Sequence, residues 1–299
     1  MKIIPIAADS MGTRSMATFV ETPDIRILID PAVSLGPRRY GLPPHPAEYI
    51  RMDEHWDSIR KYSSIADVII LTHYHYDHHN PEYPELCEGK TVLIKHPTEH
   101  INLSQKKRAG FFLGNIKGIA RRVEFADVRE FSFGNTLISF SPAVFHGTGG
   151  RLGYVVEVSI RSGGECFLFT SDVEGPNTKE QVDFIIRQEP NIVYLDGPLS
   201  YMLGYRYSHE SLAAAIDNIR KLLAIEQLDK LIIDHHLLRD LKWKERINEV
   251  FDTGKAVLTA AQFLGLENDM LEARRKDLFR ERPVSNYTYG NTDRRQLEE

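Results

Sequence analysis

The chain has 299 residues, of which 42 % are apolar and 26 % charged, so it can bury a substantial core and is not intrinsically disordered in its main state. Its 42 acidic and 37 basic residues leave a formal net charge of −5, which excludes a global basic field that would attract nucleic acid or anionic lipid. Neither a signal peptide nor a membrane-spanning run is recognisable, and we predict a cytoplasmic protein. The two cysteines, Cys87 and Cys166, lack the spacing of a zinc site or a disulfide framework and are expected to be buried and reduced.

The spacing of apolar residues, together with turn residues, predicts strands first and then alternating strands and helices. The predicted strands cover Lys2–Ala7, Ala17–Glu21, Ile25–Asp30, Val68–Leu71, Thr91–Lys95, Leu137–Phe145, Gly153–Ile160, Cys166–Thr170, Ile192–Asp196 and Lys230–Asp234. The predicted helices cover Ala47–Lys61, Thr178–Gln188, Glu210–Ala224, Lys242–Phe251 and Leu264–Arg280. A β-rich half followed by a β/α half predicts two packed sheets with helices outside, a four-layer αββα sandwich of the α/β class. We assign residues 1–280 to one domain and predict a polar, mobile tail over 281–299.

A cluster of histidines follows the predicted strand Val68–Leu71 and reads His73-x-His75-x-Asp77-His78. In an extended segment, residues two apart point to the same side, so His73 and His75 can bind one metal ion. Asp77 and His78 come where the chain must turn, and they can face a second ion about 3.5–4 Å from the first. The alternative is a solvated polar loop, but three spaced histidines and a carboxylate after a strand rarely occur together by chance.

Three further candidate ligands stand at the ends of predicted strands, namely His146, Asp172 and His235. Strand ends at one edge of a sandwich are rigid positions from which side chains can converge on a metal ion. Taken singly, His146 could equally be a core histidine, and Asp172 could cap a turn. Together with the first cluster, they indicate a metal site with two ions.

These residues resemble the signature of the metallo-β-lactamase superfamily, which has an aspartate after an early strand, a His-x-His-x-Asp-His string, and a later His, Asp and His. The resemblance implies a first metal bound by His73, His75 and His146, a second bound by Asp77, His78 and His235, and a bridging Asp172. It also implies that Asp30 hydrogen-bonds ligands and fixes their orientation.

A second comparison is with the ribonuclease Z-like branch of that superfamily. The segment Leu231–Arg239 is similar to the last ligand strand of this branch, which favours His235 as the ligand and leaves His236 as the alternative. By the same resemblance Asp196 and His209 take the places of a proton-relay acid and histidine, so that His209 would be the general acid oriented by Asp196. The other interpretation has His209 entering a helix and Asp196 forming a turn.

The chain also departs from that branch, because Leu195 stands where the relay motif has histidine and no Gly/Pro-rich basic arm is present. It is therefore not predicted to process tRNA 3′ ends. It is more similar to a group of metallo-β-lactamase-fold proteins for which the resemblance supplies a fold and a metal site but no substrate.

The leading hypothesis is a binuclear hydrolase that cleaves a phosphodiester, with a hydroxide held between the metals as nucleophile and Asp77, His209 and Asp196 as the catalytic set. The cofactors would be two divalent ions, Zn²⁺ first and Mn²⁺ or iron as alternatives. Hydrolysis of a lactone or thioester is the runner-up, and a non-enzymatic protein with a structural or vestigial metal site is the alternative of another class.

The expected partner is a small-molecule or nucleic-acid phosphodiester, with no membrane partner. Arg38 and Arg39 follow the Asp30 loop and are the candidate substrate contacts among several short basic runs, most of which are expected to be solvated. The predicted helix Leu264–Arg280 is expected to pack on the sandwich, with a homodimer contact as the alternative.

Overall fold

The computed structural model describes residues 1–283, and two β-sheets form its centre. The strands of the first sheet are β1 (Lys2–Pro5), β2 (Thr18–Glu21), β3 (Arg26–Ile29), β4 (Val68–Leu71), β5 (Thr91–Ile94) and β6 (Arg122–Phe125). They lie side by side in chain order. The pairs from β1 to β3 are antiparallel, and those from β3 to β6 are parallel.

Seven later strands form the second sheet, and two form a separate ribbon. These strands are β7 (Glu130–Phe133), β8 (Thr136–Phe140), β9 (Val144–Phe145), β10 (Tyr154–Val155), β11 (Val158–Ser162), β12 (Glu165–Phe169), β13 (Ile192–Asp196), β14 (Lys230–Asp234) and β15 (Ala256–Leu258). The sheet order is β15-β14-β13-β12-β11-β8-β7, and β9 pairs with β10. Strands β12 to β15 run parallel, so their carboxyl ends meet at one edge of the sheet.

Four of the seven helices described in residues 1–283 are preceded by a side chain that accepts a free backbone N–H group. The seven helices are α1 (Pro46–Ile65), α2 (Leu103–Ile116), α3 (Glu180–Gln188), α4 (His209–Leu223), α5 (Trp243–Arg246), α6 (Ala260–Phe263) and α7 (Arg275–Glu281). In α1, His45 and Glu48 form a reciprocal capping box with proline at the first helical position. The Asn102 and Ser208 side chains accept backbone N–H groups at the starts of α2 and α4.

Three apolar clusters separate the molecule into four layers. Between the sheets, residues such as Ile27 of β3 and Phe167 of β12 belong to one buried cluster. On the outside of the first sheet, Trp56 of α1 and Phe112 of α2 are buried, and on the outside of the second sheet Ile219 of α4 is buried. The predicted four-layer αββα sandwich is confirmed.

Some predicted elements differ in their bounds. The predicted strand Leu137–Phe145 is divided into β8 and β9 around Pro142, which cannot donate a ladder hydrogen bond. The predicted helix Leu264–Arg280 is wrong in its first half, because α6 is followed by Gly265 at φ 74° and only α7 is helical within that range. The predicted helix Lys242–Phe251 is reduced to α5 followed by a 3₁₀ segment.

The sequence interpretation also missed α2, α6, β6, β7 and β15. Gly110 and Gly114 lie inside α2 and weaken its helical signal. Cys87 and Cys166 are free and buried, as predicted. Within residues 1–283, no helix is both long and apolar enough to cross a membrane. From residue 284 onward, the predicted tail lies outside the described residues.

Candidate metal centre

Four of the predicted ligands lie on the loop that leaves β4. His73 and His75 come first, and the backbone then turns. The N–H groups of His78 and His79 both donate to the carbonyl of His75 at 3.0 Å, which closes the turn. As a result the ring of His78 lies 4.3 Å from that of His73, and Asp77 returns to the same side as the earlier ligands.

The other three predicted ligands each follow a strand of the second half. His146 comes directly after β9, Asp172 follows β12, and His235 comes directly after β14. Ser171 and His235 have φ values of 58° and 57°, in the left-handed region, so the chain turns sharply where these strands end.

The structure brings all seven predicted ligands together in two groups. The donor atoms within each group lie within 4.8 Å of one another, and the groups are His73, His75, His146 and Asp172, and Asp77, His78, Asp172 and His235. Asp172 Oδ2 lies 3.5 Å from His73 Nε2 and 3.2 Å from His146 Nε2. It also lies 3.4 Å from His235 Nε2, while Asp172 Oδ1 is 2.9 Å from His78 Nε2. Asp172 is therefore placed to bridge two ions.

Five donor atoms in these groups are buried and have no hydrogen-bond partner of acceptable geometry among residues 1–283. They are Nε2 of His73, His78 and His146, and Oδ1 of Asp77 and Asp172. One buried polar atom left without a partner costs about 1–3 kcal/mol. Imidazole nitrogen and carboxylate oxygen are the ligands that zinc, manganese and iron take in proteins. The residues therefore fit divalent metal ions, one in each group.

The charges in the metal-free site keep the carboxylates ionised, whereas the histidines differ. Burial alone would raise the pKa values of Asp77 and Asp172, but His78 and His235 hold both well below the ordinary value. Burial, reinforced by the neighbouring His78, lowers the pKa of His73. Despite burial, Asp172 raises the pKa values of three ligand histidines, so metal ions would displace protons from His78, His146 and His235. Ionised carboxylates and neutral imidazoles are the forms that ligate metals.

Comparison with known proteins identifies the family of the chain. No protein-family model matches the chain. A UPF0282 protein from Korarchaeum cryptofilum is 55 % identical over 289 residues, which cover 95 % of this chain and 96 % of that protein. The chain belongs to the UPF0282 family.

The four layers of this UPF0282 protein also occur in solved structures of low sequence identity. The isothiocyanate hydrolase from Delia radicum gut bacteria matches with a TM-score of 0.55 at 15 % identity, over 83 % of this chain and 94 % of that one. Tm1679, a metal-dependent hydrolase of the β-lactamase superfamily, matches with a TM-score of 0.52 at 13 % identity, over 86 % and 94 %. This likeness establishes the metallo-β-lactamase fold. The predicted similarity to the ribonuclease Z-like branch stays a prediction.

In the UPF0282 chain, Asp30 lies where the resemblance implies. Its buried carboxylate is 2.8 Å from His78 Nδ1 and accepts the Thr72 N–H at 2.8 Å and the Thr72 hydroxyl at 2.5 Å. Because Nδ1 is engaged in this way, Nε2 of His78 is directed at the metal group. Asp30 thus orients a ligand.

Asp9 has the same kind of role and was not predicted, and Glu174 lies near a further ligand without hydrogen-bonding it. Asp9 Oδ2 hydrogen-bonds His235 Nδ1 at 2.8 Å, and Glu174 Oε1 lies 3.6 Å from His146 Nδ1. Gly147 makes room for Glu174, because a Cβ there would lie 2.3 Å from Glu174 Oε2. Asp9 and His235 are 226 residues apart, and an acidic residue in a turn is too common to have identified the pair.

The predicted pairing of Asp196 with His209 is wrong. Asp196 Oδ2 lies 3.0 Å from His236 Nδ1, and the carboxylate also accepts the backbone N–H groups of His236 and Glu174. His209 is exposed at the start of α4. The cause is the register of the sheet, which pairs Asp196 at the end of β13 with Asp234 at the end of β14, so the residues just after β14 lie beside Asp196.

The same geometry separates the roles of the two adjacent histidines. His235 offers Nε2 to the second donor group, whereas His236 has Nδ1 on Asp196 and does not belong to either group. His236 Nε2 lies 3.9 Å from Glu174 Oε1, and the ring centres of His236 and His146 are 6.0 Å apart. His235 is therefore the ligand candidate of the pair.

The two arginines predicted to contact substrate differ in position. Arg39 donates from Nη2 to the carbonyl of Arg239 at 2.8 Å, and its guanidinium lies 4.4 Å from the ring centre of Tyr201 and 4.8 Å from that of Tyr40. Arg38 is exposed. Arg39 is thus held beside the segment that carries His235, and substrate contact by either arginine stays a prediction.

Proposed function

We propose that this UPF0282 chain is a two-metal hydrolase that cleaves phosphodiesters. The observation that carries the proposal is the pair of donor groups sharing Asp172, with buried imidazole and carboxylate atoms that lack other partners. Bound divalent ions would lower the pKa of water and stabilise negative charge on the attacking and departing oxygens. We take zinc as the metal, with manganese or iron as alternatives, because histidine and aspartate supply all the ligands.

The protein side chains would handle the proton at the departing oxygen. The Asp196 carboxylate is fixed by two backbone N–H groups and holds Nδ1 of His236, so the imidazole ring has one orientation. Burial, with the positive charges of Arg239 and His235, holds the pKa of His236 well below its ordinary value. An anionic substrate bound over the metal groups would raise that pKa, so that Nε2 can give a proton to a substrate oxygen. His236 thus replaces His209 in the role expected from the sequence, with Asp196 as the residue that orients it.

This arrangement favours phosphodiesters within the hydrolases. An alkoxide leaving group departs slowly unless it receives a proton, whereas a thiolate does not need one. Arg39, whose guanidinium stacks on Tyr201 next to the site, adds a positive charge suited to an anionic substrate.

The test is turnover of two diesters by protein loaded with Zn²⁺ or Mn²⁺. Bis(p-nitrophenyl) phosphate has a good leaving group, and a dinucleotide has an alkoxide one. Asp172→Ala should abolish both activities, and His236→Ala should slow the dinucleotide by roughly 10²–10⁴-fold and the aryl diester far less. The proposal fails if protein with two metals bound hydrolyses neither diester.

A further inference from the structure

A buried arginine points at one of the two donor groups. Arg239 is 3 % exposed, and its Nε donates to Asp9 Oδ1 at 2.8 Å. Its Nη2 lies 3.2 Å from His235 Nε2 and 3.7 Å from Asp77 Oδ2. Both of these residues belong to the second group, so a permanent positive charge faces the place where a cation would bind.

The first donor group has a different neighbour. The side-chain amide of Gln105 approaches it, with Nε2 3.5 Å from His75 Nε2. An amide carries no net charge, and Gln105 is held in place by donating to the carbonyl of Leu152 at 2.8 Å. Both groups contain Asp172, and the second also contains the Asp77 carboxylate, whose attraction for a cation Arg239 opposes. Gln105 at the first group has no such effect.

We propose that Arg239 makes the two metal sites unequal, so that the site of His73, His75 and His146 fills first and the other binds a second ion more weakly. Two like charges repel each other strongly in a buried site, where water screens them little. The inference rests on the proposed two-metal centre and not on the identity of the substrate.

Asp9 weakens the repulsion between Arg239 and a bound cation but does not remove it. One of its oxygens accepts from Arg239, and the other holds Nδ1 of His235, so a single negative charge serves both residues. The nearby Glu272 is engaged by Arg14 through two hydrogen bonds of 2.6 and 2.8 Å. With only the first site filled, Arg239 remains as the positive charge beside Asp77.

The first measurement is calorimetric titration of metal-stripped wild-type protein with Zn²⁺. Two binding steps of different affinity are expected. His75→Ala should remove the tighter step, and Asp77→Ala should remove the weaker one. Two steps of equal affinity would overturn the inference, and so would loss of the weaker step in His75→Ala and of the tighter step in Asp77→Ala. Neither result requires a variant of Arg239.

The second measurement compares variants that remove or keep the positive charge of Arg239. Arg239→Gln keeps an amide donor for Asp9 but is neutral, and it should tighten the weaker step by about tenfold or more while leaving the tighter step unchanged. Arg239→Lys keeps the charge and should preserve the separation of the two steps. If the lysine variant behaves like the glutamine variant, or if neither changes the ratio of affinities, the charge of Arg239 is not the cause.

Two controls distinguish a failure of this inference from misfolding of a variant and from failure of the proposed substrate. Circular dichroism of the metal-free variants shows whether each is folded, and the wild-type assignment stands even if Arg239→Gln is not. A protein that binds Zn²⁺ in two unequal steps but hydrolyses no diester refutes the proposed substrate and leaves the inference intact. A protein that binds no Zn²⁺ refutes both.

Discussion

A buried carboxyl group that belongs to neither donor group offers a direct test of the energetics. Glu157 is fully buried, and neither of its carboxylate oxygens has a hydrogen-bond partner within residues 1–283. Its backbone is satisfied, because its N–H donates to the Ser141 hydroxyl at 2.8 Å and its carbonyl accepts the Ser141 N–H at 3.0 Å. Burial raises the pKa of Glu157 well above its ordinary value of 4.5. Replacing Glu157 by leucine removes only the unsatisfied group.

The expected effect has a definite sign and size. A buried polar group without a partner costs about 1–3 kcal/mol, so Glu157→Leu should raise the free energy of unfolding by about that amount. This corresponds to a rise of roughly 2–5 °C in melting temperature for a chain of this size. Because the folded protein holds the Glu157 proton more tightly than the unfolded chain, wild-type stability should fall as pH rises above the unfolded pKa near 4.5, and the leucine variant should lack this loss.

The assay is urea unfolding of metal-free protein at several pH values between about 5 and about 8. Glu157→Gln is the matched control, since it cannot ionise but keeps a polar group in the same place. It should lose the part of the pH dependence that Glu157 contributes and remain less stable than Glu157→Leu. The reasoning is refuted if Glu157→Leu is less stable than wild type at the highest pH, or if the stability difference between wild type and the two variants does not grow with pH.

Three further outcomes are expected. His209→Ala should leave diester turnover within about twofold of wild type, since exposed substitutions away from a site have small effects. Arg275→Met leaves Glu48 buried without its partner, and urea unfolding should show a loss of about 3–5 kcal/mol that Glu48→Gln in the same chain largely restores. Asp30→Asn should weaken Zn²⁺ binding in calorimetry by about 10–100-fold, because His78 loses the carboxylate that orients it.

The predicted ligands illustrate what sequence alone can specify. A short apolar strand is followed by four ligands, and their spacing can be recognised in the sequence without knowledge of the fold. These are His73, His75, Asp77 and His78. His146, Asp172 and His235 could be added because each follows a predicted strand, and strand ends meet at sheet edges. The structure places all of these side chains within two donor groups.

The side chains that support the ligands could not be predicted in this way. The contact between Asp196 and His236 depends on β13 and β14 being neighbours in parallel register, which no local pattern records. The contact between Asp9 and His235 joins the first sheet region to the last ligand loop across 226 positions. The predicted helix over Leu264–Arg280 failed for a related reason, since apolar spacing there reflects packing of an irregular segment.

The four histidines next to carboxylates show why neighbouring contacts do not define a ligand. His78, His235 and His236 each have Nδ1 within hydrogen-bond distance of an aspartate, and His146 has Nδ1 near Glu174. By that contact, the first three are prepared to offer Nε2 to a metal, whereas His146 Nδ1 has no hydrogen-bond partner among residues 1–283. What separates His236 is that its Nε2 does not converge with the other donors on a shared carboxylate. A histidine prepared like a ligand but left outside the donor groups is suited to act on the substrate, and this is why the proposed function assigns the proton at the departing oxygen to His236.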